Sequence, residues 1–141
     1  EPGATTLEKE GAGYVVASLG VDSGYVPYTA FSARQSFIAE NPDLIQSFVN
    51  ALQKGMDFVQ KHTPEEIAES IEPQFPETEL EDITAIVTRY YEQDTWKADL
   101  IFEEDSFTLL QDILDEAGEL EQRVPYEDLV NTEFAVKAAG Q

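Results

Sequence analysis

Few side chains in this chain have the types and spacing for chemistry. His62 is the single histidine. It closes a long helical pattern, where a cation is favoured by the helix dipole. No serine, carboxylate or second histidine stands at triad or metal-ligand spacing from it, so it reads as a helix-end residue and not a catalytic one. Two acidic runs could in principle hold a divalent cation: Glu72, Glu77, Glu79, Glu81 and Asp82, and Glu103, Glu104 and Asp105. Neither has the alternating acid-and-glycine spacing of a calcium loop. Placement at helix N-termini accounts for both, and no metal site is expected. Tyr90, Tyr91 and Trp96 could stack on a ligand, but aromatic groups at helical spacing near a helix end are usually packing residues. Gly11, Gly13, Gly20 and Gly24 make no phosphate loop, because no Gly-Lys-Ser/Thr follows and no GxGxxG opens a helix. The chain has no cysteine, which excludes disulfides, thiolate metal sites and cysteine nucleophiles. These residues predict a protein that is not an enzyme and carries no cofactor.

Bulk properties narrow the partners. The formal charge is −21 over 141 residues. Such a surface repels phosphate backbones and anionic lipids, so nucleic acid is not an expected partner. The acidity reads as a solvated surface of a secreted or cell-surface protein. With 42% hydrophobic residues the chain can bury a core, and its length suits one ordinary domain. No apolar run approaches the roughly 18–20 residues of a membrane span, and no signal peptide is visible. The chain starts at Glu1, and its one methionine is Met56, so it reads as a processed or excised piece of a longer protein.

The elements that would position these residues centre on Tyr25–His62. Tyr25, Val26, Tyr28, Thr29 and Phe31 are β-branched or aromatic and predict a strand over 25–34, with Pro27 marking an edge or a start. Asn41, Pro42 and Asp43 read as N-cap, first helical residue and dipole-favoured anion of a long helix to His62. Leu44, Ile45, Phe48, Val49, Leu52, Met56 and Val59 give it one apolar stripe. Upstream, Pro2–Glu10 suits a short helix and Tyr14–Leu19 a buried strand. Downstream, Thr63 and Glu66 have capping-box spacing, as do Thr78 and Glu81. Helices are expected from Pro64 to before Pro73, from the Thr78–Glu81 box to about Glu92, from near Asp105 or Ser106 to a stop at Gly118, after Pro125 and after Thr132. In the helix near Asp105, Leu109, Leu110, Ile113, Leu114 and Ala117 would face inward. Two strands make no stable sheet without further strands or a covering partner.

Several segments, in order, resemble one family. Val26-Pro27-Tyr28 followed by FIAENPDLIQSFVNAL (37–52) is similar to substrate-binding proteins of ABC importers, in the branch that binds nitrate, sulfonates, taurine or the pyrimidine precursor of thiamine. Glu1-Pro2 resembles the end of that family's W-[DE]-P turn. Pro64–Ala68 resembles its "pEEiA" helix, Tyr90-Tyr91 with Asp94 and Trp96 its "rY…D.W" segment, and Leu120 with Val124–Tyr126 and Asp128-Leu129 its tail.

The resemblance implies an α/β, type II periplasmic-binding-protein-like fragment, helix-rich, with few strands near the N-terminus. Residues 1–24 would end the second lobe, 25–34 would be the return crossover strand, and 35–141 would pack on the first lobe. It implies non-covalent capture of a small polar solute and delivery to an ABC permease in the membrane. The protein would be extracytoplasmic, a cell-surface lipoprotein or periplasmic. The missing N-terminal lobe would be its natural partner, and the isolated piece would self-associate. Glu1, Tyr25, Tyr28 and Thr29 would lie near the inter-lobe cleft, where a carboxylate can accept hydrogen bonds from an amine and a tyrosine offers a flat face with a hydroxyl. Two other readings compete: a fragment of an enzyme like the thiamine pyrimidine-precursor synthases, which resemble the same fold, and a helical interaction module without a ligand.

Overall fold

A computed structural model describes residues 1–140; Gln141, the last residue of the stretch assigned to the first-lobe packing, lies outside the described residues. The order of elements is α1 (Gly3–Lys9), α2 (Leu19–Asp22), α3 (Gln35–Glu40), α4 (Pro42–Lys61), α5 (Pro64–Ile71), a 3₁₀ turn (Glu72–Gln74), α6 (Leu80–Glu92), α7 (Glu104–Glu116), α8 (Tyr126–Leu129) and α9 (Glu133–Ala139). Helix accounts for 61% of the described residues, and there is no strand or sheet among them. The expected α/β, type II periplasmic-binding class is therefore corrected: the described fold is helical.

The correction has a physical cause. A strand exists only while a neighbour accepts and donates its backbone hydrogen bonds, and β propensity expresses packing on a pleated surface more than a backbone preference. The β-like tracts find neither here. The tract expected as a buried strand is bare, with Tyr14 83% and Val16 95% exposed. Val15 donates its N–H to the Glu8 carboxylate at 2.8 Å. Leu19 opens the one-turn helix α2 instead of closing a strand. The tract expected to cross between lobes, 25–34, is neither helix nor strand up to α3.

Helix ends follow their residues where the cap chemistry is complete. At α5, Thr63 Oγ1 accepts from the Glu66 N–H and the Glu66 side chain accepts from the Thr63 N–H, with Pro64 in the first turn. At α6 the expected Thr78–Glu81 box is absent: Glu79 is the N-cap and makes no side-chain cap bond. Asn41 joins two helices: it precedes Pro42 at the expected N-cap position of α4, where its carbonyl accepts from the Ile45 N–H at 3.1 Å, while its side-chain Nδ2 donates to the Phe37 carbonyl at 3.0 Å and closes α3.

The described chain forms two compact units. The first comprises Glu1–Ser18 and Lys54–Ala98; the second comprises Leu19–Gln53 and the described residues from Asp99 onward. The first unit is built on the pairing of α5 with α6. Ile67, Ala68, Ile83 and Val87 are buried there, and Phe58, Val59, Ile71, Leu80 and Trp96 pack around them. Tyr90 meets Trp96 edge-on at 5.9 Å, so these two aromatic groups are packing residues.

The second unit is looser. Phe107 is buried at the start of α7, and Phe102 and Tyr126 close an edge-to-face aromatic trio with it. Ala135 and Ala138 are buried on α9. Gln46 of α4 donates to the Phe134 carbonyl at 3.0 Å. Two expectations of inward packing are corrected here. Ile113 is 38% exposed and Ala117 is exposed. The stripe on α4 is only partly covered: Leu44 is 58% and Phe48 45% exposed, with Phe31 standing edge-on to Phe48 at 5.1 Å.

Candidate functional site

A cluster of ionised groups in the first unit is organised by Arg89. Helix α6 buries Ile83 and Val87 on one face and stands beside α1, which sets Arg89 against it. One guanidinium nitrogen donates to Glu1 Oε1 and the other to Glu8 Oε2. The second carboxylate oxygen of Glu1 accepts from both the N–H (3.1 Å) and the hydroxyl (2.7 Å) of Thr5. Glu8 Oε1 accepts from the Val15 N–H. Each carboxylate thus has both oxygens engaged by its own chain.

The electrostatics follow from these bonds. Burial pushes the Glu1 carboxyl up, but the Thr5 hydroxyl and amide and the Arg89 guanidinium outweigh it and hold it below the usual carboxylate range. The Val15 amide, then Arg89, lowers Glu8. Arg89 is raised in turn, first by Glu8. A carboxylate held this way is a poor general base. Alongside, Lys9 donates to Asp82 and lies 3.6 Å from Glu81.

The second unit holds an open cleft of about 340 Å³ lined by Phe107, Thr108, Gln111, Val124 and Tyr126, with charged side chains at its rim. Gln111 braces it. Its side-chain amide donates to the Val124 carbonyl at 3.1 Å and accepts from the Val124 N–H at 2.8 Å, as a paired backbone segment would. Tyr126 donates its hydroxyl to the Phe102 carbonyl. Burial, then the charges of Glu104 and Glu103, push the phenol up, so it stays neutral. At the rim Arg123 is held by Asp112 at 2.6 Å and Asp115 at 3.0 Å.

The residues singled out in the sequence fall as follows. Glu1 belongs to the first unit, and its side chain is 6% exposed in the Arg89 cluster. Tyr25, Tyr28 and Thr29 belong to the second unit. Tyr28 is 96% and Tyr25 58% exposed, and Thr29 is exposed as well. His62 stacks on Phe58 with ring centres 3.8 Å apart, and its Nδ1 lies 2.8 Å from the Phe58 carbonyl, a local helix-end arrangement. Among the described residues, no group of three His, Asp or Glu side chains is placed to hold a metal ion. Among the described residues, no helix is long and apolar enough to cross a membrane.

Arg89, Glu8 and the Phe102–Phe107–Tyr126 trio were not singled out in the sequence. Arg89 and Glu8 lie 81 residues apart, and nothing local in either announces the other. Phe107 left a signal: it stands four residues before Gln111 and three after Glu104, on the inner face of a helix that starts one turn before it.

No family model matches the chain, and no solved structure matches it. The chain is 38% identical, over all 141 of its residues, to the protein described as "Putative binding protein YtlA" from Bacillus subtilis (strain 168). It spans 42% of the length of that relative, so the likeness covers a part of a longer protein.

Proposed function

We propose that this chain is part of a solute-binding component of an ABC importer. It would capture a small polar ligand of the sulfonate, nitrate, taurine or aminopyrimidine type without covalent chemistry, and present it to a membrane permease from outside the cytoplasm. The observation that carries this reading is the 38% identity, over all 141 residues, to a protein described as a binding protein. The structure adds support. Tyr14, Val16, Leu19, Tyr28 and Phe31 are each more than three-quarters exposed, which fits a chain whose packing is completed by further protein. The natural completion is an N-terminal lobe of the same protein, and the ligand would lie between parts, with Tyr25, Tyr28 and Thr29 reaching it from this one. Glu1 would serve by fixing α1.

The test uses the longer protein. Thermal unfolding is followed with taurine, an alkanesulfonate, nitrate and an aminopyrimidine. A ligand that binds the native state alone raises the midpoint in a concentration-dependent way. A midpoint unmoved by every one of them sinks the reading.

A second reading, a helical interaction module, is favoured by the exposure of Leu44 and Phe48 on α4. It is distinguished by a midpoint that responds to a protein partner and to no small solute.

A further inference from the structure

Helix α1 has seven residues. Isolated helices shorter than about 12–15 residues are marginal in water, so α1 depends on what it docks against. Apolar burial contributes little to that docking. Thr5 is the buried residue of α1, and Leu7 is 53% exposed. The core of the first unit, Ile67, Ala68, Ile83 and Val87, comes from α5 and α6. The attachment of α1 to α6 is made by charge at its two ends. Arg89 donates to Glu1 and Glu8, and Lys9 donates to Asp82 with Glu81 nearby. Glu8 also takes the Val15 N–H, so the extended tract after α1 shares the same anchor. At its end Ser18 Oγ reaches Gln93 Oε1 at 3.4 Å, a long bond.

We infer that residues 1–18 form a charge-held strap on α6, which lifts off as a unit while α5 and α6 stay folded. The charged groups that face it from α6 are Arg89, Glu81 and Asp82; its own are Glu1, Glu8 and Lys9. Salt screens these pairs, and acid removes the carboxylate acceptors, so both act in the direction of release. Release would expose two cations, Lys9 and Arg89, and free the tract carrying Tyr14, Val15 and Val16 to take a new position. The strap thus sets whether that strand-prone tract is held at Val15 or free to move.

Amide hydrogen exchange on the 141-residue chain tests this, with the Thr5 and Val15 amides reporting the strap and the Ile83 and Val87 amides reporting the α5–α6 core. It is measured in low salt, in about 1 M NaCl where the Debye length is ~3 Å, and in the variants Arg89→Met and Glu8→Ala in low salt. The expected result is loss of Val15 protection in salt and in both variants, loss of Thr5 protection in salt and in Arg89→Met, and retained protection at Ile83 and Val87 throughout. Thr5 and Val15 keeping their protection in salt and in Arg89→Met overturns the inference. So does loss at Ile83 and Val87 in step with them, in salt or in Glu8→Ala, because the strap and the core would then be one cooperative unit.

Discussion

Ile83→Ala should destabilise the first unit by about 3 kcal/mol. Ile83 is 4% exposed, and its neighbours Ala68 and Val87 are 0% and 2% exposed, so the site is tightly closed. The substitution removes three carbons. At about 0.8 kcal/mol for each buried carbon, plus a cavity that Ala68 is too small to fill, the sum reaches about 3 kcal/mol. Trp96 is the single tryptophan and packs against this cluster, so its fluorescence reports the unit directly. In urea, with a slope of about 1–2 kcal/mol/M, the midpoint should fall by about 1.5–3 M. Leu7→Ala in the same unit is the control: at 53% exposure it should cost less than about 1 kcal/mol. An Ile83→Ala midpoint no lower than that of Leu7→Ala would refute the placement of the core on α5 and α6.

Further outcomes follow from the caps, the charges and the bare surface. Thr63→Ala removes the Oγ1 acceptor of the Glu66 N–H, the side-chain half of the capping box at the N-cap, and should lower stability by about 1 kcal/mol, read from the same urea midpoint; an unchanged midpoint would mean that α5 starts elsewhere. The folded Glu1 and Glu8 carboxyls are depressed, so their contribution is complete above the unfolded carboxylate value of about 4.3 and is lost as the pH falls through the lower folded values. The midpoint difference between the natural chain and Glu1→Gln/Glu8→Gln should therefore be full above about pH 5 and shrink in acid; a difference that grows in acid contradicts the clamp. Residues 1–141 in isolation should self-associate through surfaces such as Phe31, Leu44 and Phe48, more so as salt screens the charge of −21. Sedimentation showing a monomer at every salt concentration would count against that exposed face.

The helices were legible because their signals are local. The Thr63–Glu66 box, the Pro42 start and the spacing of Ile83 and Val87 each lie within one or two turns, and α4, α5 and α6 formed where those residues placed them. The strands were not legible as states of this chain, because a strand is a property of a pair. Tyr14–Leu19 and Tyr25–Phe31 have strand-forming side chains, but no neighbouring strand within the described residues. Burial was misread for a related reason. The stripe on α4 marks which face is apolar, yet Leu44 and Phe48 show that an apolar face need not be a covered one. The Arg89 cluster was invisible because it joins Glu1, Glu8 and Arg89 across more than 80 residues, and an arginine on a helix carries no mark of its partner.

Calorimetric titration of the longer protein with taurine, an alkanesulfonate, nitrate and an aminopyrimidine, run beside residues 1–141 alone, tests the solute-binding role most directly. The expected result is one-to-one saturable binding of at least one of these solutes by the longer protein. Its dissociation constant should be about micromolar, corresponding to ~8 kcal/mol, and residues 1–141 should give no saturable heat. A folded longer protein that takes up none of them, or residues 1–141 binding as tightly as the whole, would contradict it.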